Sequence, residues 1–260
     1  MTNAAFGAAF AGAVAALAFR ARALTAGGAV AAFVVGTFVF TTTGWRGALV
    51  LFAFFIPSTL LSRLGRARKL HLDAAGKHGP RDAWQVIANG GVAALCALLV
   101  PHGGPVVAAA FSGAFAAAAA DTWGTEIGTL SRTAPRSLLT FRPVETGLSG
   151  GMTLVGTIAT VAGASVVASA SALPGFAAFW PVAAGGVAGA LLDSLIGATL
   201  QAQRWCPHCA RACETNPHRC GTPTSLRRGF EWIENDAVNL AATLAGALVA
   251  GSLAAFATLR

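Results

Sequence analysis

The sequence has no tyrosine and very little charge: of its 260 residues, 18 are Lys or Arg and 10 are Asp or Glu. Soluble domains carry roughly a quarter charged residues, so 11% leaves too little polar surface to coat a globule of this size. With 55% hydrophobic residues and a mean hydropathy of +0.64, the composition is that of an integral membrane protein. Cysteine is too sparse and too clustered for a secreted disulfide framework. Of five, Cys96 lies in an apolar run and the other four fall within fifteen residues. The net charge of +8 does not make a nucleic-acid binder, because that requires a basic face on a water-soluble fold and nothing here supplies one. No basic segment precedes the first apolar run, residues 4 to 19, and further spans follow it, so it is expected to be a retained helix and not a signal peptide.

What the sequence has in abundance is Ala and Gly, 31 of the latter, the small residues that let membrane helices pack closely. A bilayer core needs roughly 17 to 25 apolar residues per helix. Stretches near that length run at 4–19, 24–40, 46–62, 84–101, 105–122, 148–171, 176–200 and 237–258. Turn-like runs separate three pairs: Thr41 to Gly44, His102 to Pro105, and Leu173-Pro174-Gly175. The expected fold is therefore all-α, a polytopic bundle of about eight transmembrane helices forming a single domain over 1–260. A Cys/His-rich loop, 201–231, is inserted before the last helix. The positive-inside rule orients it. With the N-terminus outside, sixteen of the eighteen basic residues fall in cytoplasmic connections, leaving only Arg46 and Arg260 outside. The acidic residues gather on the same face, so any chemistry is expected there.

Three acidic clusters stand at or near helix ends. In the first, Arg81 to Gly91, the residues Asp82, Gln85 and Asn89 share one helical face; the plainer reading of Asp82 is an N-cap. In the second, Asp121 and Glu126 flank Thr122 after a run of five Ala. Two carboxylates on an apolar helix need a cation, either an arginine such as Arg132 or Arg136 or a divalent metal. The third joins Asp193, about two turns inside its helix, with Asn235, Asp236 and Asn239 at the start of the last span. An intramembrane carboxylate reads first as functional.

Between the fifth and sixth spans, Gly147, Ser149, Gly150 and Gly151 lead into a helix, where backbone N–H groups can meet an anion. Further on, Cys206, Cys209, His218 and Cys220 form a C-x2-C-x8-H-x-C set, four N/S ligands with the spacing of a structural zinc knuckle. The alternative is a set of free or redox-active thiols, with Cys213 a substitute ligand.

Taken together these motifs resemble the DUF92, or transmembrane protein 19, family of multi-span proteins, which includes the phytyl-phosphate kinases of tocopherol biosynthesis. The resemblance spans about residues 65 to 245 and rests on Arg81-Asp82 to Gly91, on Asp121-Thr122-Trp123 with Glu126-Ile127-Gly128, on Gly147 to Gly151, on Asp193 to Ala198, and on Asn235-Asp236 with Asn239. This chain has Leu148 where the family usually has Thr after the first Gly. The resemblance implies phosphorylation of a membrane-borne isoprenyl monophosphate to the diphosphate, with CTP favoured as the nucleoside triphosphate. Asp121, Glu126, Asp193 and Asp236 then fall to Mg²⁺. Asn89, Asn235 and Asn239, with Asp82, Gln85 and Thr122 beside them, fall to substrate or nucleotide, and the Gly-rich segment to phosphate. Lys77 and Arg81, with Arg142 behind them, fall to the transferring phosphates. Transfer between anions asks mainly for charge neutralisation and positioning, which these residue types supply. Cytidylyl transfer to a lipid phosphate and transport of lipid phosphates are the competing functions. The expected partners are membrane lipid, the isoprenyl phosphate and the nucleotide, with no nucleic acid and with self-association left open.

Overall fold

The computed structural model describes residues 2–65 and 79–259. Among these residues there are six helical elements: α1 (Thr2–Arg20), α2 (Ala26–Arg63), α3 (Ala83–Gly128), α4 (Leu154–Ala172), α5 (Phe179–Thr199) and α6 (Asn235–Thr258). Five of them, α2 to α6, are long and apolar enough to cross a membrane, and α1 is a shorter apolar helix. Five short strands sit between them: β1 (Arg136–Ser137), β2 (Gly151–Met152), β3 (Gln203–Cys206), β4 (Arg211–Cys213) and β5 (Ser225–Arg228). The architecture is mostly helical, and these strands correct the all-α expectation.

Two elements are too long for one passage. At 1.5 Å per residue, α2 and α3 would run about 57 and 69 Å against a hydrocarbon core of about 30 Å. Each is broken near its middle by a glycine with φ/ψ that only glycine adopts, Gly44 at 62°/−151° and Gly104 at 55°/−147°. Both then double back. The Arg63 guanidinium at the end of α2 donates to Ala21 O, just ahead of its start, and the two ends of α3 line one cavity. The breaks are narrower than the sequence implied. Thr41, Thr42 and Thr43 remain helical because each hydroxyl donates to the carbonyl four residues back, and His102 and Gly103 are helical as well.

The second arm of α3 is the axis of the bundle. Ala108 to Ala120 are buried all round apart from the half-buried Ala110, which is why the run is Ala, Gly, Ser and Phe with no polar face. Around it pack α2, α4, α5 and α6. Close approach is paid for by missing side chains: a Cβ on Gly246 would lie 2.6 Å from Gly113 O, and one on Gly186 2.8 Å from the Cβ atoms of Ala116 and Ala164. α5 runs unbroken through Gly185 and Gly186, so those glycines serve helix crossing. Phe111 and Phe115 fill the wider space, edge to face at 5.3 Å and against Phe176 and Phe54. Among the described residues, the end of α1, both ends of α2 and of α3, the starts of α4 and α6 and the end of α5 face one pole of the bundle, and the candidate site lies there.

Candidate functional site

A cavity of about 310 Å³ opens at that pole, walled by the ends of α2 to α6 and the loops between them. Asp121, Thr122 and Glu126 reach it from the end of α3, Gln85 and Asn89 from its start, Asp193 from the end of α5, and Asn235 and Asn239 from the start of α6. Arg81, Gly147, Ser149, Gly150 and Gly151 complete the expected set that lines it. Residues as far apart in sequence as Arg81 and Asn239 are thus brought to one chamber because antiparallel helices return their ends to the same side.

Three expected residues stand elsewhere. Asp82 is the N-cap of α3 in a capping box, its carboxylate accepting from Gln85 N at 2.9 Å while Gln85 Oε1 accepts from Asp82 N at 3.0 Å. Asp236 lies in the first turn of α6, outside the cavity walls, where an acid suits the helix dipole. Arg142 is also outside them. Lys77 lies outside the described residues.

The deepest feature is a pair of acids. The carboxyl groups of Asp121 and Asp193 are within hydrogen-bonding reach of each other, and Asp193 Oδ2 is buried with no hydrogen-bond partner among the described residues. Two facing carboxylates in apolar surroundings demand a shared proton or a cation, and the unpartnered acceptor oxygen of Asp193 suits either. Arg81 is a cation within electrostatic reach of Glu126. Arg81 is itself pinned: its backbone bridges the α1–α2 connection through Ala23 O and Thr25 N, and its guanidinium lies 5.6 Å from the Phe54 ring.

The Gly-rich segment departs from its expected form. It is a turn and a two-residue strand, not a helix start, because Gly147 and Gly150 take φ of 97° and 81°. β2 pairs with β1, and α4 begins only after Thr153, whose side chain accepts from Gly156 N at 3.0 Å. Gly150 is pressed against α5 so closely that a Cβ would stand 2.7 Å from the Cβ of Ala198 and nearer to its backbone.

Of the cavity residues that went unrecognised in sequence, one is held by several hydrogen bonds. Glu214, in the Cys/His-rich loop, accepts from Ser149 N at 2.6 Å, from Ser149 Oγ at 2.9 Å and from Gln201 Nε2 at 3.1 Å. The N–H offered to a phosphate at Ser149 is therefore held by a protein carboxylate. Burial pushes the Glu214 carboxyl up to about 7, against the opposing pull of the Ser149 hydrogen bonds and Arg228. Only the run of an acid beside Cys213, three residues after Arg211, distinguished it from a solvated loop residue. Arg22, Arg63 and Ser194 also line the cavity.

A second, apolar cavity of about 80 Å³ lies between α1, α2 and α3, lined by Phe10, Val14, Ala15, Val35, Phe52 and Phe115 among others. It shares Arg81, Gln85 and Asn89 with the polar chamber, so the two meet at those side chains.

The family profile described as "Integral membrane protein DUF92" matches residues 9–247. The chain belongs to the DUF92 family of integral membrane proteins. Among DUF92 relatives, Protein PGR of Arabidopsis thaliana is 32% identical over 72% of this chain and 75% of its own. Membrane protein MJ0933 of Methanocaldococcus jannaschii is 30% identical over 88% and 85%, and Protein VTE6, chloroplastic, of Arabidopsis thaliana is 28% identical over 87% and 64%. No solved structure matches. DUF92 membership and the five long apolar helices make this a multi-pass membrane protein.

Proposed function

We propose that this DUF92 protein is a membrane isoprenyl-phosphate kinase. It converts phytyl or geranylgeranyl phosphate to the diphosphate at the expense of a nucleoside triphosphate, CTP favoured, with Mg²⁺. The observation that carries the reading is the junction of the two cavities. A polar chamber with paired carboxylates, arginines and a Gly-rich turn adjoins an apolar one at Arg81, Gln85 and Asn89. A lipid monophosphate has that same polarity, an anionic head on an apolar tail.

Asp121 and Asp193 would hold the divalent ion, with Glu126 on the same wall; their contact and the orphaned Asp193 Oδ2 suit a cation with oxygen ligands. Bound there, Mg²⁺ supplies charge neutralisation for the phosphates. Arg81, Arg22 and Arg63 oppose the remaining negative charge, and the amides of Asn89, Asn235 and Asn239 offer hydrogen bonds to phosphate or nucleotide. An ionised phosphate acceptor needs no general base, so the residues act by orientation and charge. The topology belongs to the same proposal: α2 and α3 each cross twice through their glycine breaks, giving eight spans with the N-terminus outside and the chamber facing the cytoplasm, where nucleotide is found.

Purified protein given geranylgeranyl phosphate, CTP and Mg²⁺ is expected to yield the lipid diphosphate and CDP. Release of pyrophosphate would instead assign cytidylyl transfer, and nucleotide-free uptake into proteoliposomes would assign transport.

A further inference from the structure

The Cys/His-rich segment folds as a small antiparallel sheet, order β4-β3-β5, with Arg204 opposite Cys213 and Cys206 opposite Arg211. Three strands of four, three and four residues bury almost nothing apolar, and units this small normally need a metal or disulfide to hold them. Its interior is instead polar and sulfur-rich: Cys206 and Cys213 are fully buried and His218 is 3% exposed.

The ligand atoms of Cys206, Cys209, His218 and Cys220 all lie within 4.8 Å of one another. Cys206 Sγ is 3.6 Å from Cys220 Sγ, and His218 Nδ1 is 3.6 Å from Cys209 Sγ and 3.1 Å from Cys220 Sγ. Zinc bonds of about 2.3 Å to sulfur and 2.0 Å to nitrogen make tetrahedral edges of that length. Cys213 is set apart, its thiol facing Thr215 O at 3.8 Å, so it is not the fourth ligand.

The sheet is fastened at two places to the Gly-rich turn and at a third to the helix end beneath it. Glu214 takes both Ser149 donors, Arg211 pairs with Glu145, and Arg228 on β5 donates to Ala198 O at 2.6 Å and Gly197 O at 3.2 Å, the end of α5 on which Gly150 rests. Arg211 and Glu214, three apart, thus meet Glu145 and Ser149, four apart.

We infer that Cys206, Cys209, His218 and Cys220 bind one Zn²⁺, and that the zinc knuckle so formed is a clamp that holds the Gly-rich turn in place through Glu214 and Arg211. Glu214 is a positioning residue, since its carboxylate is engaged by Ser149 and Gln201. The inference concerns the same cavity as the kinase reading but does not depend on it, because its read-outs are metal content and amide exchange.

Protein purified without chelator is expected to carry one zinc per chain, and the Cys206→Ser/Cys209→Ser variant none. Hydrogen exchange followed by mass spectrometry should show the amides of residues 145–152 slow in the zinc form. They should accelerate by about tenfold or more on zinc removal, and equally in zinc-loaded Glu214→Ala, since a lost hydrogen-bonded contact of ordinary strength is worth that factor. If Glu214→Ala does not fold, Arg211→Ala reads the same amides through the neighbouring bridge. Zinc-free protein from zinc-replete cells would overturn the metal site. Unchanged exchange on stripping zinc, or in the folded variant, would overturn the clamp.

Discussion

Replacing Gly150 with alanine tests whether the turn that walls the cavity is held by its contact with α5. Two costs arise and they separate cleanly. Gly150 has φ of 81°, and a residue with a Cβ in that left-handed region costs about 1 kcal/mol. The added Cβ would also stand 2.6 Å from Cα and 2.7 Å from Cβ of Ala198, and because α5 backbone cannot rotate away, overpacking adds about 1 to 3 kcal/mol. Gly175, between α4 and α5, has φ of 66° with nothing within 4 Å of an added Cβ, so Gly175→Ala carries only the first cost. In detergent-solubilised protein, at roughly 2 to 4 °C per kcal/mol for a chain of this size, Gly150→Ala should melt about 5 to 10 °C below wild type and Gly175→Ala about 3 °C below. Displacing the turn should also lower the proposed phosphoryl transfer by tenfold or more, since misplacement of about 1 Å can cost 10²-fold, while Gly175→Ala keeps full activity. Equal melting and equal activity of the two variants would refute the reasoning.

Other outcomes follow from the same geometry. Asp121→Asn and Asp193→Asn should each lower product formation by about 10² to 10³-fold while the purified proteins keep their helical circular dichroism. Ala15→Phe, which fills the apolar cavity, should raise KM for geranylgeranyl phosphate and leave KM for the nucleotide unchanged. Glu214 titrates near 7 in the folded protein against 4.5 ordinarily, so the folded state holds a proton that the unfolded chain has lost. Its contribution to stability is complete below about pH 4.5 and is lost as pH rises through 7. The shift is worth up to about 3 kcal/mol, which solvent screening at this half-buried position reduces to about 1 to 2. Wild type should therefore lose more stability than Glu214→Gln between pH 5 and 8 in thermal melts, and identical slopes would contradict the burial of Glu214.

Much of this was legible in the chain because membrane helices announce themselves by length and by the scarcity of charge. A carboxylate such as Asp121 or Asp193 is conspicuous against alanine and leucine, and antiparallel helices of equal length bring such positions to one end. The Gly-rich segment was harder. Glycines before an apolar run fit a helix start as well as a turn, and only the positive φ of Gly147 and Gly150, set by the packing of Gly150 on Ala198, decides between them. Asp236 and Glu214 exchanged importance for a related reason. Asp236 sits beside Asn235 and Asn239 in sequence but rotates out of the cavity within its helical turn, whereas Glu214 reaches the cavity through a sheet whose folding no helical periodicity encodes. The threonines at 41 to 43 look like a turn by composition, yet in an apolar segment their hydroxyls bond back to the helix and leave the break to Gly44.

The most direct measurement of the central claim is to incubate the purified protein with Mg²⁺, geranylgeranyl phosphate and CTP labelled at the γ-phosphate, and to separate lipid from water-soluble products. The label should appear in geranylgeranyl diphosphate with stoichiometric CDP, and Asp121→Asn should cut it by about 10² to 10³-fold. Failure to label the lipid with any of the four nucleoside triphosphates, in protein that remains folded, would contradict the account.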